Sequence, residues 1–291
     1  MAADICTQGL DVGFVELGYA KVAVLGVVQG ITELLPISST AHMRIVPALL
    51  GWRDPGSAFS AAMQLAALAA VVSYFWSDVR TVTIGSLAAV ARFDFRDWNF
   101  RFALGIVLGT VPIVFFGILL SPVLNACNSP LRGLVVIGLA CLVMSGLLAL
   151  AERYTNHLRT MDHVMLKDAL IVGLAQAGAL IPGVSRSGST LTAALFLNLN
   201  REEAARYSFL LGVPAIALAG IKELYELHKA SLDLHGWSIL IVGLVVASIS
   251  AFVAIWGLLR ILENFSAWPF VIYRAFIGIV LLVGVALGWL A

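Results

Sequence analysis

The chain has 291 residues, of which 60% are hydrophobic and only 12% charged, with 18 Lys+Arg against 17 Asp+Glu and a net charge of +1. Soluble domains carry about 25% charged residues; a mean hydropathy of +0.97 leaves too few polar groups to cover a soluble globule, and disorder needs the opposite composition. The near-neutral balance provides no basic field, so nucleic acid is excluded as a partner. A polytopic membrane protein remains, with room for roughly six to eight spans of about 20 residues.

The first twelve residues contain Asp4 and Asp11 and no basic n-region, so no cleavable signal is expected. The segment 22–50 is apolar but interrupted by Gly26, Gly30, Pro36 and Pro47, and it contains Glu33, His42 and Arg44. Uncharged stretches then predict spanning helices over 59–76, 102–120 and 133–151. A second interrupted segment, 169–199, contains Gly173, Gly178, Pro182, Gly183, Gly188 and Arg186. Three further spans are predicted over 207–221, 237–259 and 269–290, the last holding Arg274. Broken backbone at membrane depth survives only where it is buried in protein or lines a wet cavity. Both interrupted segments therefore read as re-entrant helix pairs. Cys6, Cys127 and Cys141 have no metal-ligand spacing, and their odd count argues against a disulfide framework; Cys141 reads as an apolar filler.

The two interrupted segments resemble each other. Gly26 and Gly173 are 147 apart, as are Gln29 and Gln176; Pro36 and Pro182 are 146 apart, as are Ser39 and Ser185. Three predicted spans follow each copy, so the second repeat is upside down relative to the first. Inverted repeats build a site at their interface from discontinuous helices. The expected fold is an all-α polytopic membrane protein with about six transmembrane helices plus two re-entrant helix pairs in an inverted-topology repeat. It forms a single domain over 1–291, with repeats at about 13–151 and 169–290. If the loop 77–101 is cytoplasmic, then 152–168, 201–206 and the turn at Arg260 share that side. Ten Lys/Arg then lie inside: Arg80, Arg92, Arg96, Arg101, Arg153, Arg159, Lys167, Arg201, Arg206 and Arg260. Five lie outside: Arg44, Arg53, Arg132, Lys222 and Lys229. The bias follows the positive-inside rule and puts the first interrupted segment on the outer side.

Intramembrane Glu, His and Arg are costly and mark function, which singles out Glu33, His42 and Arg186. Gln29 and Glu33 are four apart and share a helix face, and Ser39 and His42, three apart, share another. Ser38, Ser39 and Thr40 follow Pro36, and Ser185, Ser187, Ser189 and Thr190 follow Pro182-Gly183. Each turn thus opens into a hydroxyl-rich helix N-terminus, whose free amides and positive dipole suit phosphate. Arg186 adds a planar fork for two phosphate oxygens. Arg274 is open to two readings: a carboxylate partner, or a part of the site. His157, His163, His228 and His235 fall in polar stretches and read as solvated.

The run Gln29-Gly-Ile-Thr-Glu33-Leu-Leu-Pro36-Ile-Ser-Ser39-Thr-Ala-His42 resembles the first signature of the undecaprenyl-diphosphate phosphatase family, the bacitracin-resistance type. Pro182-Gly-Val-Ser185-Arg186-Ser187-Gly-Ser-Thr190 resembles its second, and the likeness extends through 207–214 and Ile272-Tyr-Arg274. The family admits Glu or Gln at the first motif position. Here it is the neutral Gln29, so Glu33 must carry more of the acid–base or metal work. The resemblance implies hydrolysis of undecaprenyl diphosphate to undecaprenyl phosphate and inorganic phosphate, in the bacterial inner membrane, with the cavity toward the outer side. Catalytic residues are then Glu33, Ser39, His42 and Arg186. Phosphate ligands are Gln29, Ser38, Thr40, Ser185, Ser187, Ser189 and Thr190. Ser39 would attack with His42 or Glu33 as base; water activated by Glu33, or by Mg or Ca bound to Glu33, is the competing nucleophile. Expected partners are the lipid substrate and membrane lipids, with room for a homodimer. A polyprenyl-phosphate transporter of the same architecture is the alternative.

Overall fold

A computed structural model describes residues 12–124, 130–229 and 232–290; Cys6 and Cys127, like Asp4 and Asp11, lie outside them. The described chain is helical throughout, with only one isolated bridge, between Arg159 and Leu199. The helices are α1 (Phe14–Leu34), α2 (Ser39–Leu49), α3 (Ser57–Ala62), α4 (Gln64–Tyr74), α5 (Trp76–Ala91), α6 (Trp98–Leu119), α7 (Ser121–Leu124), α8 (Leu134–Tyr154), α9 (Leu166–Ala177), α10 (Arg186–Phe196), α11 (Arg201–Lys229), α12 (Leu234–Asn264) and α13 (Trp268–Ala286). Six of them, α1, α6, α8, α11, α12 and α13, are long and apolar enough to cross a membrane. Large apolar side chains on their outer faces are exposed, among them Val107, Phe115, Ile118, Val143, Ile249 and Ile279. Only a hydrocarbon surround makes that surface favourable, and the protein is a multi-pass membrane protein.

Five of these helices fall on predicted spans, but the boundaries move. The expected span 59–76 is instead α3 and α4, and α5 then turns by 78°. The 77–101 stretch, expected as a loop, is helical through Ala91 because nothing in it breaks a helix before Phe93, whose φ is 56°. Asp97 then caps α6, its carboxylate accepting from the Asn99 and Phe100 amides. Arg201–Arg206 and Lys222–Lys229 are the two ends of the 29-residue α11 rather than loops. Arg260 lies inside α12, which continues to Asn264. Polar residues at span ends extend the helices because four of every helix's terminal groups need partners that water at the interface supplies. One histidine also departs from expectation: the His157 ring is 9% exposed, beside Glu152.

Small residues set the packing. A methyl at Gly26 would sit 2.9 Å from the Gly243 carbonyl, so α1 lies directly on α12. At Gly173 it would sit 2.3 Å from the Gly109 carbonyl, so α9 lies directly on α6. Gly138 and Gly278 do the same for α8 and α13, each against the other's carbonyl, at 3.2 and 2.9 Å. Without a hydrophobic drive in lipid, such close backbone approach is what holds helices together. One end of the bundle is tied by buried or half-buried ion pairs: Arg201–Glu152, Arg206–Asp78 and Arg159–Asp168.

Gly173→Ala should therefore destabilise the fold by about 1–3 kcal/mol, the range for overpacking, because its obstacle is backbone. Gly146→Ala, with nothing within 4 Å, should not. Thermal unfolding of both variants in detergent measures the difference; equal midpoints would show that α9 and α6 separate freely.

Candidate functional site

Both interruptions are real breaks between helices. α1 ends at Leu34 and α2 begins at Ser39; α9 ends at Ala177 and, after a short 3-10 turn, α10 begins at Arg186. Ser38 caps α2 by accepting from the Ala41 amide, and Ser185 caps α10 by accepting from the Gly188 amide. Both caps have left-handed backbone, φ 73° at Ser38 and 64° at Ser185. Such a conformation costs a non-glycine residue about 1–3 kcal/mol and persists only where its surroundings impose it. Matching caps put the repeat register at 147, with Ser38 opposite Ser185 and Ser39 opposite Arg186. This corrects the 146-residue pairing of Ser39 with Ser185.

The breaks meet. Ser187 Oγ lies 3.1 Å from the carbonyls of both Glu33 and Leu35. The Glu33 carboxylate is buried at their junction, 7% exposed. Its Oε2 accepts from Gln29 Nε2 at 3.0 Å and from Ser39 Oγ at 2.7 Å. Its Oε1 faces Arg186 NH2 at 3.5 Å. The other fork nitrogen, Arg186 NH1, is buried with no hydrogen-bond partner among the described residues. A buried guanidinium N–H left unspent is costly, and a phosphate oxygen would satisfy it.

His42 is buried, yet it bonds neither Ser39 nor Glu33. Its Nδ1 donates to the Ser38 carbonyl at 2.8 Å, and its Nε2 pairs with the Tyr273 hydroxyl at 2.7 Å. The side chain that Ser39 Oγ bonds is Glu33, not His42. Several expected phosphate ligands point elsewhere. Thr40 is on the exposed side of α2. Ser189 and Thr190 donate to the Arg186 carbonyl of their own helix, and Thr190 also meets Ser208. Ser185 is spent on its cap and on Ser187. Arg274 has no carboxylate partner; its guanidinium bonds the Pro36, Gly183 and Val184 carbonyls. Tyr273 and Gly212 were not singled out from sequence. A tyrosine in a span carries no spacing signal toward a histidine 231 residues away, and a glycine reveals its role only when its neighbour is known.

Among the described residues no three His, Cys, Asp or Glu side chains group closely enough to hold a metal ion. Glu33 is the one charged oxygen ligand at the breaks, with the buried, unpartnered Gln29 Oε1 beside it. This donor set is too sparse to hold an ion alone. It fits one that arrives on a diphosphate and keeps phosphate and water ligands, as magnesium and calcium do.

Residues 22–280 match the family model described as bacitracin resistance protein BacA. Among curated relatives, the undecaprenyl-diphosphatase 2 of Mesorhizobium japonicum is 73% identical over 90% of this chain and 100% of its own length. The undecaprenyl-diphosphatase of Trichormus variabilis is 48% identical over 95% of this chain and 87% of its own. That of Synechococcus elongatus is 49% identical over 92% and 93%.

A methyl added at Gly212 would sit 1.9 Å from Arg186 NH1. Gly212→Ala should displace the guanidinium and weaken pyrophosphate binding about tenfold or more, the worth of one charge-assisted hydrogen bond. Calorimetric titration of pyrophosphate into the detergent-solubilised protein measures it; unchanged affinity would remove Arg186 from the phosphate site.

Proposed function

The chain belongs to the bacitracin resistance protein BacA family, and we propose that Ser39 is its nucleophile, Glu33 the base and Arg186 the clamp on the transferred phosphate. The reaction is hydrolysis of undecaprenyl diphosphate to undecaprenyl phosphate and inorganic phosphate, which returns the lipid carrier to cell-wall synthesis. The enzyme works on that lipid among the lipids of its membrane.

One observation carries the assignment of roles: the Ser39 hydroxyl donates to a buried carboxylate whose other oxygen faces an arginine with an unspent N–H. Ser39 Oγ attacks the terminal phosphorus and its proton passes to Glu33. The bond from that phosphorus to the bridging oxygen breaks, and undecaprenyl phosphate leaves. The leaving group is a phosphate monoester, so it needs no strong acid at the moment of departure. Water then displaces Ser39 from phosphorus, taking the phosphoryl group as inorganic phosphate, while Glu33 returns its proton to the Ser39 oxygen. Arg186 neutralises the equatorial oxygens in both steps, and positioning with charge neutralisation is most of what phosphoryl transfer requires. A magnesium or calcium ion carried by the diphosphate, against Glu33 and Gln29, would add to that neutralisation. Transport alone would need no hydroxyl poised on a carboxylate.

The inverted arrangement of two re-entrant pairs belongs to the same proposal. Its support is an exchange of neighbours. α1 packs on α12 as α9 packs on α6, α4 packs on α12 as α11 packs on α6, and α8 and α13 pack on each other. The location is likewise proposed: the bacterial inner membrane, with the breaks open to the outer side. The bias in basic residues supports it, since Arg153, Arg159, Arg201 and Arg206 gather at one end of the bundle, and Arg80 of α5 lies two residues from Asp78, which Arg206 binds. Every site residue named comes from one chain, so the site is complete without a second copy.

Purified protein in detergent, assayed for phosphate release from the lipid, tests the roles. Ser39→Ala and Glu33→Gln should each lower kcat by about 10²–10⁴. Arg186→Lys should be nearly as damaging as Arg186→Ala, because a point charge does not replace the fork. A Ser39→Ala enzyme retaining most of its turnover would transfer the attack to water.

Orientation has its own measurement. Thr40 is exposed on α2, so Thr40→Cys in a background without Cys6, Cys127 and Cys141 should react with a membrane-impermeant thiol reagent on intact spheroplasts. Labelling confined to inside-out vesicles would reverse the orientation.

A further inference from the structure

We infer that Arg274 is a positioning residue that locks the two helix breaks in register and acts on catalysis through Ser39 and Arg186. The inference rests on the assignment of those two residues above. Arg274 is fully buried, 0% exposed, in the middle of α13. An arginine there costs several kcal/mol unless its donors are matched. Among the described residues its partners are three backbone carbonyls and no carboxylate, and its Nε is left without one. NH1 donates to Pro36 O at 3.2 Å, in the first break. NH2 donates to Gly183 O at 2.7 Å and to Val184 O, in the second. One rigid guanidinium plane therefore spans both turns, two residues before the Ser38 cap and one before the Ser185 cap.

The surroundings hold that plane still. Ser145 of α8 donates to the Val271 carbonyl at 2.8 Å, one turn before Arg274, and Gly138 and Gly278 bring α8 and α13 together one turn after it. The Cys141 thiol donates to the same Gly183 carbonyl at 3.7 Å. The first turn of α10 rests on the fork: a methyl at Gly188 would lie 2.4 Å from Arg274 NH1. Arg186 and Ser39 each begin the helix that follows a clamped turn. The fork thus sets the separation of nucleophile and phosphate clamp without touching either. Ser187, bonded to Glu33 O and Leu35 O, ties the same junction from its other side.

Lysine keeps the charge but cannot span three carbonyls in two turns. Arg274→Lys should lower kcat by about 100-fold, the cost of a misplacement near 1 Å, with KM changed by less than about threefold, since Arg186 still meets phosphate. The readout that separates positioning from plain structural support is a double variant. In the Ser39→Ala background, where the nucleophile to be positioned is gone, adding Arg274→Lys should cost less than about threefold more. Multiplying losses would overturn the proposal, as would an Arg274→Lys enzyme with near-normal kcat. Gly188→Ala is the second variant, for use if Arg274→Lys cannot be purified folded. It keeps the arginine and pushes the fork aside, and it should show the same kcat loss and the same non-additivity; full activity would overturn the inference. Failure of the Ser39 and Arg186 assignments is read separately, from the single variants Ser39→Ala and Arg186→Ala.

Discussion

Two gaps in the helical backbone, inside an apolar chain, leave carbonyls and amides without a helical partner. Every one of them must find a donor or acceptor within the protein. That requirement organises the site. The α2 and α10 amides take the Ser38 and Ser185 hydroxyls. The Glu33 and Leu35 carbonyls share Ser187, and the Pro36, Gly183 and Val184 carbonyls share Arg274. Satisfying the breaks this way brings residues from opposite ends of the sequence to one point. The Glu33 carboxylate and the Arg186 guanidinium then meet as a consequence.

The same closure explains the choice of side chains. Ser187 is not spent on phosphate because its hydroxyl already closes the end of α1. Ser189 and Thr190 turn back to the Arg186 carbonyl, the usual outlet for a hydroxyl in a membrane helix. Four buried side-chain atoms at or near the breaks remain without a partner among the described residues: Gln29 Oε1, Gln176 Oε1, Arg186 NH1 and Arg274 Nε. Of these, Arg186 NH1 beside Glu33 is a donor that an anionic oxygen would satisfy.

Composition and periodicity carried most of this fold. Charge scarcity announced the membrane, and five of the six long helices stand where uncharged stretches predicted them. The sequence misled where helix and loop differ only by context. The stretch 59–91 contains no proline and no glycine before Gly85, yet it bends by 78° near Phe75, because α4 is confined between α11 and α12 while α5 turns away onto α6. At the site, residue type singled out Glu33, His42 and Arg186, since an ionisable group in lipid needs a reason, and the structure sets Glu33 between Ser39 and Arg186. Partners could not be read in the same way. Ser39 with His42 was a sound pairing on helix spacing, but spacing along one helix says nothing of Tyr273, which arrives from α13 and occupies the imidazole.

The repeat register explains why two copies of one motif make a single site. At an offset of 147 the two caps coincide, and so do Gly26 with Gly173 and Gln29 with Gln176. Glu33 then falls opposite Leu180, Ser39 opposite Arg186 and His42 opposite Ser189. The scaffold positions are duplicated and the chemical positions are not. Two carboxylates facing each other at the junction would repel, and two arginines would repel likewise, with little water to screen either pair. One carboxylate against one arginine is the combination that a dry two-fold junction accepts without excess charge. The asymmetry also divides the side chains between the halves: the first break carries a hydroxyl bonded to a carboxylate and the second a guanidinium. Ser39 begins one helix and Arg186 the other, and Glu33 bonds both, so the two helix N-termini meet at one carboxylate.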